Sequence, residues 1–466
     1  MKPTTQQLHR AAGVLLGSAA GDALGAGYEF THPQPDQRIG MIGGGLGGFE
    51  PGEWTDDTAM TVAVAEVTAT GADVRTAAGL DAVAANFVRW YDSRPKDIGI
   101  QTSKVLHRRD ATGVAMAATA AALPGRKGGN GSLMRTAPIG LAFPGDPAAT
   151  AQAAWAVSAL THDDERAHQA CQLWSLLIEY TVRTGEIDND WTVLQHLDAE
   201  VAKFWLPLKD IAETGSPQDF SNNGWVVHAL QTAWWAIHGS PATEARHLQV
   251  ALERCVRAGH DTDTTAAIAG ALLGARWGAS AVPAAWRRIL HGWPGLHADD
   301  LVRLALQSYT GSDDPTRWPG VQRMDYSGWS TNNRTTHPHD DGVTLGGHGA
   351  VDAGGYDAVV SLCRMGRADL GVEHINVWLV DTTAEDNPNL EFVLTDTAEL
   401  VRQLRSEGKR VLLHCVEGSS RTPSVAARYS TLLGQDPRDV KTAMPWARPQ
   451  QWLWDAAAHP RTGAET

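Results

Sequence analysis

Two aspartates stand side by side in Thr55-Asp56-Asp57-Thr58, just ahead of an apolar run with helical spacing. About two hundred residues later, "GHDTDTT" (259–265) sets Asp261, Asp263 and Thr264 at the start of another small-residue helix. Either stretch alone is an ordinary helix cap, because Asp and Thr oxygens accept from the unpaired N–H groups of a first turn. The pair says more. If the two helix N-termini face each other, Asp56, Asp57, Asp261 and Asp263 converge with the hydroxyls of Thr55 and Thr264. Such a cluster repels itself unless cations neutralise it. An all-oxygen set suits Mg²⁺ or Mn²⁺ rather than Zn²⁺, and two ions sharing it could hold a water and a substrate diol.

A second constellation lies in "RVLLHCVEGSSRTPSV" (410–425). An apolar strand runs into His414-Cys415, five residues follow, and Arg421-Thr422-Pro423 opens a helix with proline well placed near its first turn. A cysteine at such a junction meets backbone N–H groups and a helix dipole, which favour the thiolate. The same N–H groups can cradle an anion, and an arginine fork can grip two phosphate oxygens. A structural cysteine at a strand end would not explain Gly418 and Arg421.

The elements that must position these groups differ along the chain. From residue 6 to about 308 the sequence is rich in Ala and Leu, and stretches such as "TAMTVAVAEVTA" and "HQACQLWSLLIEYTV" repeat apolar residues at three and four. That spacing predicts an all-α domain joined by Gly/Pro loops. "IGMIGGGLGGFEPG" (39–52) reads as a floppy connector or a mobile lid. From 309 to 345 the chain turns polar and turn-rich, marking a boundary. Beyond it, "YDAVVSL", "HINVWLV" and "RVLLHC" read as strands, and "NLEFVLTDTAELVRQLRSEG" and "SVAARYSTLLG" as helices. Alternation of this kind predicts a small α/β domain with a largely parallel sheet. The expected domains are therefore 1–310, a linker and domain start at 311–345, and 346–466.

Composition narrows the functions. The chain has 466 residues, and its net charge of -14 argues against a general nucleic-acid or anionic-membrane binder. Cys171, Cys255, Cys363 and Cys415 form neither a disulfide framework nor a CxxC metal pair, which suits a reducing compartment. No apolar stretch is long enough for a membrane span. "AAGVLLGSAAGDALGAG" loosely imitates a signal peptide, but Asp22 and the glycines interrupt it, so a mature helix and a cytoplasmic protein are expected. The tryptophans are read as core, and Cys363 as a buried strand-end thiol.

Several ordered motifs resemble the ADP-ribosylglycohydrolase family over about residues 10–300, nearest its bacterial form that removes ADP-ribose from arginine. They are "GDALGAGYE" (21–29), "WTDDTAM" (54–60), "DIGIQTSKVL" (97–106), "GNGSLMR" (129–135), "LTHDD" (160–164) and "GHDTDTT" (259–265). The resemblance implies an all-α fold with two Mg²⁺ or Mn²⁺ ions, held by Thr55, Asp56, Asp57, Asp261, Asp263 and Thr264. It makes Glu29 and Asp97 candidates for activating water or binding ribose hydroxyls. It gives Gly129, Asn130, Gly131 and Ser132 to ribose and phosphate, with His162 beside them. The glycines there would let a backbone approach pyrophosphate closely.

The HCx₅R pattern, followed by Thr422, resembles the tyrosine and dual-specificity phosphatases, and the outline from about 320 to 458 is similar. By that resemblance Cys415 attacks phosphorus, Arg421 stabilises the transferring group, and Thr422 assists, with no metal. The general acid falls in "VWLVDTTAEDNPNL", where Asp381, closest to the strand end, is preferred to Asp386. The combined expectation is a bifunctional hydrolase acting on an ADP-ribosylated protein or small molecule and on a phosphorylated substrate. The alternative makes the helical domain an ADP-ribose-binding module that targets an active phosphatase.

Overall fold

The computed structural model describes residues 3–311, 323–366 and 368–460. Residues 312–322, within the expected linker, lie outside them. The chain divides into two compact units, Met1–Val282 with Ile289–Asp314, and Pro283–Arg288 with Pro315–Thr466. No helix among the described residues is long and apolar enough to cross a membrane.

The first unit is helical, apart from a two-residue ladder at His291–Gly292 and Leu296–His297. Three helices build its site: α1 (Thr5–Gly25), α2 (Asp56–Thr68) and α3 (Thr262–Trp277). A capping box closes the start of α1, with Gln7 N donating to Thr4 Oγ1 (3.1 Å) and Thr4 N to Gln7 Oε1 (3.0 Å). The signal-like stretch is buried core of α1 as far as Gly25.

Its glycines are a contact stripe. Gly13, Gly17, Gly21 and Gly25 recur every four residues, so they share one helix face. A Cβ at Gly17 would stand 2.3 Å from Gly270 O, and one at Gly21 2.1 Å from Ala266 O. Reciprocally, a Cβ at Gly274 would fall 1.9 Å from Gly13 O. Helices α1 and α3 therefore run antiparallel with their backbones in contact, which delivers the C-terminal end of α1 to the N-terminus of α3. The glycine-rich stretch 39–52 is a closed turn, with Gly44 bridged to Phe49, set against the start of the loop to Glu29. Gly45 has φ +64°, and a Cβ there would be 2.2 Å from Ala26 O.

The second unit is a five-stranded mixed sheet with helices. Its strands are β1 (Arg334–His337), β2 (Asp340–Gly346), β3 (Ala358–Ser361), β4 (Glu373–Asn376) and β5 (Val411–His414), in spatial order β1-β2-β5-β3-β4. Only β1 runs antiparallel to its neighbour. Helices α4 (Leu390–Ser406) and α5 (Arg421–Leu432) contribute Leu394, Leu400, Val425 and Ala426 to its apolar core. Strands β3 and β5 fall inside their expected runs and β4 begins one residue before its own, whereas the hairpin β1–β2 lies almost wholly in the stretch read as turn-rich. Its short polar edge strand hides the period-two pattern. The segment Pro283–Arg288 also belongs here. Ala284 is buried in this core and its N–H donates to Asp396 Oδ2 at 2.9 Å. Arg288 pairs with Glu373 and Glu407.

Candidate functional site

Three helix ends meet in the helical unit. At the end of α1, the Asp22 carboxylate accepts from Thr55 N (3.0 Å) and Thr58 N (2.9 Å). It thereby caps α2 from a different helix. Helix α2 then presents Asp56 and Asp57, and α3 presents Asp261 from its N-cap and Asp263 from its first turn. Carboxylate oxygens of Asp22, Asp57 and Asp263 lie within 4.8 Å of one another, as do those of Glu29, Asp261 and Asp263. Asp263 joins the two groups. Thr55 Oγ1 and Thr264 Oγ1 each donate to Asp57 Oδ2 at 3.2 Å. All six residues expected from the paired motifs are therefore near this junction.

Burial raises Asp22, Asp56, Asp57, Asp261, Asp263 and Glu29, and neighbouring acids add to it at Glu29, Asp56, Asp57 and Asp263. Asp56 is pushed up to about 7, by burial first and then by Asp97, Asp22 and Asp261. Glu29 rises to about 8 through burial, then Asp261, Asp97 and Asp56. Burial raises Asp57 and Asp263 well above the carboxylate range, with neighbouring acids adding to it. Asp22 rises to about 6 despite its backbone N–H donors. The buried Asp57 Oδ1 has no hydrogen-bond partner among the described residues. An oxygen-only set, self-repelling and with an orphaned buried oxygen, fits a hard divalent cation. Asp97, half-buried, accepts from Ile98 N (2.8 Å), and its charge reaches both Glu29 and Asp56.

Beside the acids lies the loop 127–132. Asn130 serves the cluster rather than an open cradle: its amide nitrogen donates to Asp261 Oδ2 (2.8 Å) and Asn223 O (2.9 Å), and its N–H to Gly224 O (3.2 Å). Ser132 is buried, its hydroxyl accepting from Cys171 Sγ. The N–H of Gly131 has no acceptor among the described residues, while the 3₁₀ turn Asn130–Ser132 directs the Ser132 N–H back at Gly129 O. Gln101 Nε2 ties the loop down, donating to Lys127 O (3.1 Å) and Thr161 O (2.9 Å). His162 is buried behind it, and Thr161 Oγ1 lies 2.7 Å from its Nδ1. Sequence reasoning missed Asp22, which reads as an interruption of an apolar run, and Gln101, although both stand inside quoted motifs.

In the second unit Cys415 follows β5 directly and is buried, and all four cysteines are free thiols. The loop 415–420 has its carbonyls taken from outside: Val416 O by His348 N (2.8 Å), Glu417 O by Thr331 Oγ1 (2.8 Å) and Ser419 O by Arg448 N (2.8 Å). None of the N–H groups from Glu417 to Ser420 donates to an acceptor among the described residues. Gly418 has φ +69°, and a Cβ there would come within 2.8 Å of the Gly346–Gly347 backbone. Arg421 Nη1 donates to Leu362 O (2.6 Å) and Leu379 O (3.2 Å), while its buried Nε stays unpaired, 3.7 Å from Asp381 Oδ2. Asp381 Oδ1 also accepts from Ser420 Oγ (2.8 Å). Asp386 instead accepts from Thr382 and Thr383 on its own turn. Thr422 is buried and donates to Gly346 O (3.2 Å). Burial pushes the Cys363 thiol up to about 12.

Comparison with known proteins bears on the first unit. Residues 3–315 match the family model described as ADP-ribosylglycohydrolase. The ADP-ribosylarginine hydrolase Tri1 of Pseudomonas putida (strain GB-1) is 29% identical over 293 residues, spanning 60% of this chain and 74% of that protein. The ADP-ribosyl-(dinitrogen reductase) glycohydrolase of Rhodospirillum rubrum is 29% identical over 289 residues, spanning 59% and 88%. A solved structure described as an ADP-ribosylglycohydrolase-related protein complex aligns with a TM-score of 0.52 at 27% identity, over 66% of this chain and 100% of that one.

Proposed function

The chain belongs to the ADP-ribosylglycohydrolase family, and on that premise we propose that its helical unit hydrolyses the glycosidic bond of an ADP-ribosylated substrate, with arginine favoured as the acceptor. The observation behind this is the convergence of carboxylates around Asp263. Thr55, Asp56, Asp57, Asp261, Asp263 and Thr264 would hold two Mg²⁺ or Mn²⁺ ions. When bound, such ions supply the charge that these acids lack and fix ribose hydroxyls for the reaction. Glu29 and Asp97, half-buried at the edge of the cluster, orient a water and accept its proton as the water oxygen bonds to C1″. The C1″–N bond breaks through an oxocarbenium-like state, its electron pair goes to the guanidine nitrogen, and that nitrogen takes up the proton the carboxylate received from water. The N–H of Gly131, with His162, faces the pyrophosphate. Incubation with ADP-ribosylated arginine and serine peptides, with and without EDTA, tests this: ADP-ribose release from the arginine peptide, abolished by EDTA, is expected. Tight ADP-ribose binding without turnover in saturating Mg²⁺ or Mn²⁺ would establish the binding-module alternative instead.

For the second unit we infer cysteine-dependent phosphoester hydrolysis. Its support is the loop after Cys415, whose carbonyls are held outward and whose N–H groups are left for an anion. The Cys415 thiolate attacks phosphorus, the bond to the leaving oxygen breaks, and Asp381 gives that oxygen its proton; water then releases phosphate. Arg421 stabilises the equatorial oxygens. Hydrolysis of p-nitrophenyl phosphate that survives EDTA is the expected result; chelator sensitivity equal to that of the first activity would overturn this division of labour.

A further inference from the structure

Arg135 is fully buried, with its guanidinium 4.5 Å from the Phe87 ring centre and no carboxylate partner among the described residues. Burying a guanidinium without a counter-charge is costly, so its hydrogen bonds matter. Nη2 donates to Thr161 Oγ1 at 2.6 Å and to Val157 O at 3.3 Å. A guanidinium has no acceptor, so the Thr161 oxygen must be the acceptor of that bond. The hydroxyl hydrogen of Thr161 is then free to point at its other near neighbour, His162 Nδ1, at 2.7 Å. Pointed there, it makes Nδ1 an acceptor and leaves the imidazole hydrogen on Nε2.

The direction of Nε2 gives this tautomer a use. A Cβ at Gly131 would stand 3.3 Å from His162 Nε2, and one at Gly129 3.5 Å from it, so the ring nitrogen looks between these two glycines. Nε2 has no partner among the described residues. The loop it faces also carries the unpaired N–H of Gly131.

We propose that Arg135 and Thr161 are positioning residues for the ADP-ribose site: the chain Arg135–Thr161–His162 fixes a neutral imidazole with its N–H at Nε2, aimed at the diphosphate lying across the Gly129–Gly131 loop. This rests on the hydrolase reading given above. Arg135 thus acts at a distance, through a hydroxyl, and adds a donor to the anion site without entering it. Burial and then the Arg135 and His168 charges hold His162 well below the usual imidazole range, in the same sense as the geometry.

The test uses the full-length protein labelled with ¹⁵N-histidine, with His162→Gln to assign the His162 signals. An unprotonated Nδ1 and a protonated Nε2 are expected, and Thr161→Val should lose that fixed pattern while Thr161→Ser keeps it. With Mg²⁺ present, Thr161→Val should weaken ADP-ribose binding and raise KM about tenfold, as for one lost hydrogen bond to an anion, with kcat nearly unchanged. In a His162→Gln background the same change should have no further effect. A protonated Nδ1, an additive double variant, or a Thr161→Ser protein as impaired as Thr161→Val would overturn the relay. Failure of the wild-type protein to bind ADP-ribose at all would overturn the functional reading, and the diphosphate role with it.

Discussion

The two candidate sites are assembled in opposite ways. The cysteine site is nearly contiguous: Cys415 to Arg421 form one loop between a strand and a helix, and only Asp381 comes from elsewhere. The acidic site is gathered from the end of α1, the start of α2, the start of α3 and the loop carrying Asp97. Their electrostatics differ as well. The cysteine loop offers N–H groups and an arginine, a ready receptor for an anion. The acid cluster is a set of like charges that burial and repulsion hold above their usual range, so it is complete only with something positive in it.

The strongest way to break that contrast is to remove one charged centre at a time. Asp263→Asn, at the carboxylate shared by both acid groups, should lower ADP-ribose release by roughly 10²–10³-fold or more and leave p-nitrophenyl phosphate hydrolysis intact. Cys415→Ser should do the reverse. If either variant lowers both activities equally, the two sites are not independent.

A step down in size are the residues that orient the reacting groups. Asp22→Asn keeps the shape but weakens the acceptor of the Thr55 and Thr58 N–H groups, so hydrolysis should fall about 10–100-fold, as when an outer support of a metal ligand is lost. Calorimetric titration with Mn²⁺ should show the loss in cation affinity. In the other unit, Asp381→Asn should slow turnover about 10²-fold for substrates with poor leaving groups, while Asp386→Asn should have little effect. Asp386 is tied to Thr382 and Thr383, which hold its carboxyl below the usual range, and it has no bond to the loop.

The contiguous site was readable because its chemistry is local: a strand, HCx₅R and a helix start name the loop and nearly all its parts. The acidic site was readable only through repetition, since "TDDT" and "DTDTT" each pass as a cap. What escaped were groups that work across the fold. Asp22 looked like a flaw in an apolar run because its partners are N–H groups at a distant helix start. Gly13, Gly17, Gly21 and Gly25 looked like breaks in that run, though their four-residue spacing marks a helix face. Their function depends on α3 lying against them, which no local pattern states. Asn130 was read as part of a phosphate loop, but its amide and N–H are taken by Asp261, Asn223 and Gly224. The hairpin β1–β2 and the segment Pro283–Arg288 carry too little apolar periodicity to show where they belong.

The packing that gathers the acidic site gives a third comparison. Gly21→Ala places a methyl 2.1 Å from Ala266 O, a backbone atom that cannot swing away. Overpacking of this kind should cost about 1–3 kcal/mol and lower the melting temperature of the helical unit by several degrees. ADP-ribose release should fall with it, because α1 and α3 hold Asp22 and Asp263 in register. Any hydrolysis of p-nitrophenyl phosphate below that transition should not change.

The smallest effect concerns an acid in the second unit. Asp396 accepts from Ala284 N at 2.9 Å, and burial pushes it up to about 6, with Arg287 opposing. A carboxyl that binds its proton more tightly in the folded state adds stability below its unfolded value of 3.8. That contribution is lost as pH rises through about 6. The transition of the second unit should therefore drop by about a few degrees between pH 5 and 7 on this account. Asp396→Asn keeps an acceptor for Ala284 N and removes the titration, so its melting temperature should vary less over that interval. An equal slope in the two proteins would assign the pH dependence to other groups. The contrast with the acid cluster is then one of purpose: Asp396 is a lone raised carboxyl that holds the Ala284 N–H, whereas around Asp263 the same burial is repeated until only a cation can relieve it.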